Sequence, residues 1–574
     1  MAKHTTIKSS LALLLCIIAG VVCYGQSLYF PFLEWDDQVY IINDPAIQTW
    51  SWHHLYEIWT TFHQAAWYPL TRSSHAIAIG LFGHDAFYHR AISLAIHILN
   101  GYLVYSLSST LFKLRSTETE STEAIADPSF FLASAAALIF ICHPQHVEVV
   151  VWLTQRNELL ATAFILLSLI QYVSAIADKN NSRRYLSLLF FILAMISKPT
   201  AIGLPVLLII LDLIVNDKYK NWPNDFLPVL YRSLADKAPY IIISAVAYGI
   251  SLHAHASSYA IKLHDIYSLT QRLCFSAYNM LDFIYRFFIP LHLTPLLEIP
   301  GWIQTISLRS FFPLISLALI LTLAGLVFWR RKNALPLLIL AYMALVLPGS
   351  GLIMIGTYSP GDRYMYLSSS LLIIFILACC YKPFIKSNAF KFYCSVPFAV
   401  ILLFFSHITL TQAAHWKNDI SLWEYVTKQQ PRAATALTYL ALQKMTHQMI
   451  APQEAARLIE EAITIEPVYV GLDNLLKLYT ALGDRENLLR THEKIIAYYP
   501  SFSGASRVTV GIDRLQKNNP DEGKKLILEG IRIDPTLCVQ MEQQLLQPAN
   551  NASDPVYIDL EKIIQQARSE KRCP

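Results

Sequence analysis

The chain has 574 residues, of which 54% are hydrophobic and only 15% are charged, and its mean hydropathy is +0.38. This composition excludes an ordinary soluble globular protein and makes the lipid bilayer the main solvent of the chain. The formal net charge of +4 is small for this length and excludes the strongly basic footprint of a nucleic-acid-binding protein.

Eleven apolar stretches predict membrane helices, since a span needs about 20 mainly apolar residues. Lys3 and Lys8 precede the first stretch in the charge order of a signal peptide. No small-residue cleavage site follows, so we predict a retained first helix. The predicted fold class is all-α, a polytopic bundle of about 11 spans. The stretches lie near residues 10-28, 88-112, 130-146, 157-177, 184-197, 199-215, 239-256, 310-329, 334-349, 364-381 and 392-411.

Clusters of Lys and Arg occur in alternate loops, which predicts that those loops share the cytoplasmic side. The alternation holds only if the apolar stretch from Leu273 to Ile289, which is interrupted by Asp282 and Arg286, does not cross the bilayer. We therefore predict an interfacial or re-entrant helix there, on the outer face. The C-terminal region is then predicted to lie outside as well.

Residues 412–574 are more charged and contain no apolar run long enough to span a membrane. Amphipathic stretches within them end in prolines spaced by 36, 33 and 35 residues. This period is close to the roughly 34 residues of tetratricopeptide repeats, although other helical solenoids remain possible. The predicted domains are a multispanning part, 1–411, with a first outer loop of about 30–84, and a helical-repeat part, 412–574. The prolines are Pro431, Pro467, Pro500 and Pro535.

An acidic pair lies in the first outer loop. The segment FLEWDDQVYIINDPAI places Asp36 and Asp37 about one turn beyond the first helix, beside Trp35. A carboxylate there is a candidate general base toward a hydroxyl acceptor. The alternative interpretation is a solvated turn or a helix cap.

A second polar segment, HPQHVEVVVWLTQRNELL, is predicted on the same face of the membrane and contains His143, His146, Glu148 and Arg156. Ionisable groups at this depth usually face a cavity or each other, so they are candidates for donor or acceptor binding. The spacing of the histidines and Glu148 is not a strong metal-ligand pattern, and no metal is predicted. Alternatively, Arg156 and Glu158 are charges at a helix start that pair with neighbours.

Three cations on the outer face are candidates for binding an anionic group: Arg363 in DRYMYLSSS, Lys198 in ISKPT, and Arg72. Arginine suits a phosphate because its planar fork donates two parallel hydrogen bonds. The alternatives are an interfacial belt of aromatic residues around Arg363 and snorkelling of Lys198 and Arg72.

Several signatures of soluble enzymes are absent from the sequence: a Gly-rich phosphate loop, Gly-x-Gly-x-x-Gly and Gly-x-Ser-x-Gly. A nucleotide-sugar or ATP-driven reaction is therefore disfavoured, no cofactor is predicted, and the donor of a transferred group would arrive through lipid. Cys538 and Cys573 can pair in an oxidising compartment or remain free thiols.

Five segments in chain order, together with the repeats that follow, resemble the transmembrane and tetratricopeptide-repeat O-mannosyltransferase family. This family is a branch of the multispanning glycosyltransferases with a C-type fold. The segments are FLEWDDQVYIINDPAI, WYPLTRSSHAIAIGLFGHDAFYHRAISLAIHILNGYLVY, HPQHVEVVVWLTQRNELLA, LAMISKPTAIGLPVLLIILD and DRYMYLSSS.

The resemblance implies an inverting transfer of one sugar, mannose or a similar hexose, from a polyprenyl-phosphate donor to a Ser or Thr hydroxyl. It places Asp36 and Asp37 at the catalytic centre, with the assignment of the base between them open. Glu148, Arg156 and Arg363 lie in matching segments, and a phosphate contact is expected at Arg363. No divalent metal is needed, and the repeats would recruit the acceptor, a protein or a glycan.

Two other functions remain open from the sequence: a repeat scaffold anchored in the membrane, and a transporter or polymerase of lipid-linked glycans. The latter would not require Asp36 or Asp37 specifically. The short repeat region and the lack of a eukaryotic retention signal favour a bacterial inner membrane, with the repeats on the periplasmic side.

Overall fold

The computed structural model describes residues 2–115, 128–178, 180–215, 226–256, 267–297, 300–331, 335–352, 361–386, 388–545, 555–570 and 573. These residues form 26 α-helices, joined in places by short 3-10 turns, and contain no β-strand, which confirms the predicted all-α class. In chain order the helices are α1 (Ala2–Tyr24), α2 (Trp52–Thr60), α3 (Pro69–Phe82), α4 (Ala86–Arg115), α5 (Pro128–Cys142), α6 (Val147–Val151), α7 (Arg156–Asp178), α8 (Asn181–Ser197), α9 (Leu204–Val215), α10 (Phe226–Asp236), α11 (Ala238–Ala256), α12 (Leu269–Phe288), α13 (Gly301–Gln304), α14 (Phe312–Arg331), α15 (Leu335–Val346), α16 (Met365–Lys386), α17 (Asn388–His415), α18 (Asp419–Gln429), α19 (Ala434–Thr446), α20 (Pro452–Ile465), α21 (Tyr469–Leu482), α22 (Arg485–Tyr498), α23 (Gly504–Gln516), α24 (Pro520–Ile533), α25 (Thr536–Leu545) and α26 (Pro555–Ser569).

A helix covers most of each of the eleven predicted spans. Within the described part of the chain, six helical segments are long and apolar enough to cross a membrane, and a bent pair makes a seventh if it is one span. The chain is therefore a multi-pass membrane protein, while the count of about 11 stays a prediction. The six are Thr6–Tyr29, Ala86–Leu114, Leu153–Asp178, Leu308–Arg330, Asp362–Tyr381 and Tyr393–His415.

The bent pair consists of α5 and the short helical stretch Pro144–Val151, which meet at an angle of 53°. His143 at the break is extended, with φ −72° and ψ 125°. Pro144 explains the break, because proline disfavours a helical conformation of the residue before it and has no N–H to continue the ladder. The bend turns the chain so that α6 and the turn after it face the first outer loop.

Small residues allow the apolar helices before residue 412 to approach closely. Small residues are common at helix contacts in membranes, because lipid provides no hydrophobic driving force for helix association. A Cβ added at Gly101 of α4 would lie 2.4 Å from Ile141 Cδ1 of α5. The neighbouring Asn100 donates from Nδ2 to the Leu159 carbonyl of α7 at 3.0 Å. Close packing and a buried hydrogen bond thus hold α4 against α5 and α7, and α4 and α7 carry Arg90 and Arg156 of the site described below.

The described residues divide into two compact units, Met1–Leu422 and Trp423–Pro574. The second unit consists largely of helix pairs. The first helices of successive pairs begin at Ala434, Tyr469, Gly504 and Thr536, at intervals of 35, 35 and 32 residues. This period agrees with the spacing of the prolines, and the tetratricopeptide assignment stays a prediction.

Two glycines bring α23 and α24 into backbone contact within the second unit, Trp423–Pro574, which is called the repeat unit below. A Cβ added at Gly511 would lie 2.9 Å from the Gly523 carbonyl oxygen and 2.7 Å from Ile527 Cγ1. We expect Gly511→Ala to destabilise this helix pair by about 1–3 kcal/mol, because the clash outweighs the better helix propensity of alanine. Hydrogen exchange of α23 and α24 amides in the full chain measures this effect.

Gly325→Ala in α14 is the matched control, since a Cβ there meets no heavy atom within 4 Å. Protection of α23 and α24 is expected to stay at the wild-type level in that variant. Unchanged protection in Gly511→Ala would contradict the close packing of the two helices.

Candidate active site

The two carboxylates of the acidic pair have different surroundings. Asp37 is fully buried, and its oxygens accept hydrogen bonds from the Leu33 N–H at 3.1 Å, the Thr154 N–H at 3.1 Å and the Thr154 hydroxyl at 2.8 Å. Asp36 is half-buried, and no described residue hydrogen-bonds to its carboxylate. Asp37 therefore holds the first outer loop against the turn before α7, whereas the carboxylate of Asp36 has no such anchoring role among the described residues.

The pKa values of both carboxyls are raised. Burial, followed by the neighbouring charge of Asp37, raises the pKa of Asp36 to about 7, although Arg363 acts in the opposite direction. Burial also raises the pKa of Asp37, against the lowering effects of Arg90 and of the hydrogen bonds from Leu33 and Thr154. A carboxylate with a pKa near 7 is well matched to general-base catalysis at neutral pH.

Two buried arginines fasten the backbone around the pair. Arg90 of α4 donates to the Phe30 carbonyl at 2.8 Å and also to the carbonyls of Pro31 and Val151. Arg156 at the start of α7 donates to the His89 carbonyl at 2.8 Å and, at 3.4 Å, to the Ser74 carbonyl and the Ser93 hydroxyl. Because these hydrogen-bond partners are neutral oxygens, neither positive charge is neutralised by them, and both cations interact electrostatically with Asp37.

Arg363 forms an ion pair with Glu148, with 2.6 Å between Nη1 and Oε1. The backbone N–H of Arg363 also donates to Glu148 Oε2 at 3.1 Å. The guanidinium lies over the rings of Trp152 and Tyr364, at 5.9 and 5.0 Å from the ring centroids. Trp152 in turn stacks on Trp35, with centroids 4.4 Å apart. The arginine is thus held by a carboxylate and by aromatic faces, beside the acidic pair.

Lys198 and Arg72 are also paired. Lys198 Nζ lies 3.0 Å from Glu158 Oε2 and 5.7 Å from the centroid of the Tyr364 ring. Arg72 donates twice to Asp44, from Nε at 2.9 Å and from Nη2 at 3.0 Å. Lys198 and Arg363 both lie over the ring of Tyr364, so the two cations are neighbours. The charge of Arg72 is compensated separately, by Asp44.

The two predicted histidines lie among packed helices. His143 Nε2 is 3.0 Å from the Phe287 carbonyl oxygen. His146 has both ring nitrogens in contact with protein, Nδ1 with the Phe140 carbonyl at 2.6 Å and Nε2 with Ser369 Oγ at 2.8 Å. Within the described residues, no group of three or more His, Cys, Asp or Glu side chains is arranged to hold a metal ion.

Sequence reasoning did not single out several residues of the site. The sequence could have indicated Arg90, because an arginine inside an apolar span is costly and needs a partner. No sequence pattern indicates Thr154. The same holds for the ion pair between Arg286 and Asp362, at 3.1 Å, because these roles depend on contacts between distant segments. Asp419, which accepts the Glu34 N–H at 3.1 and 3.0 Å, likewise fastens the first outer loop to the chain after α17.

Fold and site together define an all-α multi-pass membrane protein with a half-buried carboxylate in a network of buried ion pairs. No family model matches the chain. The protein O-mannosyl-transferase TMTC1 of Mus musculus is 30% identical over 165 residues, which are 27% of this chain and 16% of that protein.

The protein O-mannosyl-transferase F38B6.6 of Caenorhabditis elegans is 26% identical over 433 residues, 71% of this chain and 56% of that protein. The protein O-mannosyl-transferase TMTC4 of Homo sapiens is 28% identical over 221 residues, 35% of this chain and 29% of that protein. These matches confirm the predicted resemblance to the transmembrane and tetratricopeptide-repeat O-mannosyltransferases. In each case the match spans less than two thirds of the relative's own length.

Proposed function

We propose that this chain is a membrane glycosyltransferase that moves one hexose, mannose or a similar sugar, from a polyprenyl-phosphate donor to a Ser or Thr hydroxyl of an extracytoplasmic protein. The observation that carries the proposal is Asp36, a half-buried carboxylate with a pKa raised to about 7 and without a hydrogen-bond partner in the described part of the chain. The names of the curated relatives, protein O-mannosyl-transferases, support the reaction class.

In the proposed reaction, ionised Asp36 accepts the proton of the acceptor hydroxyl while the hydroxyl oxygen attacks the anomeric carbon. The bond from that carbon to the phosphate oxygen breaks, and its electron pair stays on the phosphate. A single displacement of this kind inverts the anomeric configuration. Asp37 positions Asp36, and Arg90 and Arg156 hold the backbone around the pair.

The departing phosphate gains negative charge and needs a cation close by. Arg363 is suited to this role because its ring stacking and its ion pair with Glu148 fix the guanidinium, while only Nη1 takes part in the side-chain contact with Glu148. Lys198 lies against the same tyrosine ring. No metal is included in this scheme.

The repeat unit is proposed to lie outside the cytoplasm and to recruit the acceptor, and the membrane is proposed to be a bacterial inner membrane. The disulfide between Cys538 and Cys573 supports this side, because such bonds persist in oxidising compartments.

The disulfide provides a direct test of the orientation. We expect a thiol-reactive polymer to label seven of the nine cysteines after denaturation without reductant, and all nine after reduction. Cys538→Ser is the control, with eight labelled cysteines under both conditions. Nine labelled cysteines without reductant, in protein taken from its native membrane, would contradict an oxidising compartment for the repeat unit.

The function is tested by mixing the purified full chain with a panel of radiolabelled polyprenyl-phosphate sugars and with extracytoplasmic protein from the same cells. We expect label to pass to protein, to be released by β-elimination, and to come from one hexose in preference to the others. If no donor supports transfer, the glycosyltransferase proposal fails, and a scaffold or a transporter of lipid-linked glycans replaces it.

A further inference from the structure

Helix α2 in the first outer loop exposes three large aromatic side chains that have no part in the proposed reaction. They are Trp52, Tyr56 and Trp59, which are 88, 69 and 40% exposed. Their spacing puts them on one face of α2, called the aromatic face below, since successive residues of a helix lie about 100° apart around its axis. Contiguous exposed apolar groups of this kind mark a surface that contacts something other than water.

The other sides of α2 differ from the aromatic face. Ile58, roughly a third of a turn around the helix from it, is 1% exposed and packs in a hydrophobic cluster with Ile41 and Ile79. The remaining third of the circumference carries the polar residues His53 and Glu57. A helix with one side against protein, one aromatic side and one polar side is suited to lie along a membrane surface.

The ends of neighbouring spans define the level of α2 in the bilayer. The cluster that buries Ile58 also contains Leu153, the first residue of the span Leu153–Asp178. The next helix, α3, ends at Phe82, shortly before the span Ala86–Leu114 begins. Helix α2 therefore lies at the depth at which these spans leave the hydrocarbon region.

The aromatic face continues onto α3. Trp59 donates from Nε1 to Ser73 Oγ of α3 at 3.3 Å. Ile77 and Leu81 follow Ser73 by about one and two turns on the same side of α3, and both are exposed. The exposed apolar surface thus extends from α2 toward Ala86, where the chain enters the lipid.

We infer that the aromatic face of α2 lies in the headgroup region of the adjacent leaflet and contacts phospholipid. Trp and Tyr suit this region because the apolar ring packs on acyl chains while the N–H or O–H stays among polar groups. Because Ile58 packs with Ile41, which closely follows the acidic pair, the contact also sets the depth of the loop that carries Asp36. The inference involves no donor or acceptor and is independent of the proposed function.

Fluorescence quenching tests the contact with the full chain in phosphatidylcholine nanodiscs, either unbrominated or brominated near the headgroup end of the acyl chains. The fluorescence that is lost in Trp52→Phe belongs to Trp52. We expect bromine to reduce this contribution at least about twofold, as for a ring about 5–10 Å deep in the interface. Tyr56→Trp in the Trp52→Phe background is expected to add fluorescence that bromine quenches to a similar extent.

His53→Trp in the same background is the matched control, because it adds an indole at the next position of α2, on the polar side. All three substituted positions are exposed, so the variants are expected to fold as wild type does. We expect the fluorescence of the indole at position 53 to be insensitive to bromine and to be quenched by acrylamide from the water.

Quenching of positions 52 and 56 by acrylamide but not by bromine would overturn the inference, because the aromatic face would then lie in water. Protection of both positions from both quenchers would also overturn it and would indicate that a second copy or another protein covers the face. Equal quenching by bromine at positions 52, 53 and 56 would overturn it as well, because no single face of α2 would then point to lipid.

Discussion

Replacing Asp36 with asparagine is expected to lower the rate of sugar transfer by about 10²–10⁴-fold, the usual contribution of a positioned general base. Asparagine keeps the shape of the side chain and removes its ability to accept a proton. The rate is measured with the preferred donor at saturating acceptor. Glu34→Gln serves as the control, because it neutralises an exposed carboxylate two residues away.

The pH dependence of the wild-type rate tests the same assignment. The pKa of Asp36 is raised to about 7, so the base is protonated and the rate is low at acidic pH. The rate is expected to rise as the pH increases through 7 and Asp36 becomes ionised. A rate that is flat between pH 6 and 8, with transfer retained in Asp36→Asn, would exclude Asp36 as the base.

Asp37→Asn distinguishes the roles of the two carboxylates. Asp37 accepts three hydrogen bonds from Leu33 and Thr154, and an amide would direct N–H groups at some of these donors. We expect this variant to lose thermal stability together with activity. Asp36→Asn is expected to keep or gain stability above neutral pH, because the raised pKa of Asp36 means that its ionised form is disfavoured in the folded protein.

The sequence was sufficient to find most of the helices and several charged residues of the site. Apolar stretches of span length predict helices because the backbone has no other way to satisfy its polar groups in lipid. The cost of charges at membrane depth drew attention to Glu148 and Arg156. Asp36 and Asp37 were candidates because an acidic pair in a long outer loop can act as a base, and Arg363 and Lys198 because cations can bind an anionic group.

The pairing of those charges was beyond sequence reasoning. Glu148 and Arg363 are 215 positions apart, so their contact depends on how α6 packs against the turn Asp362–Tyr364 before α16 and not on any local pattern. His143 and His146 attracted attention through their short spacing, yet their ring nitrogens contact carbonyl and hydroxyl oxygens of neighbouring segments.

Replacing Arg363 with glutamine is expected to lower transfer by about 10²–10³-fold, the usual effect of removing one donor that stabilises developing negative charge. The variant should also bind methyl polyprenyl phosphate more weakly. A second effect follows from the position of the arginine: its charge lowers the pKa of Asp36, so its loss moves the midpoint of the pH–rate profile above 7.

Two variants separate these effects from a loss of structure. Arg363→Lys keeps the charge and removes the planar fork, so the pH midpoint is expected to stay near 7 while transfer and donor affinity fall. The double variant Arg363→Gln with Glu148→Gln leaves no unpaired buried carboxylate and is expected to recover stability without recovering activity. If Arg363→Gln matched wild type in both donor affinity and pH midpoint, the ion pair with Glu148 would have a structural role alone, and the phosphate would have to lie elsewhere.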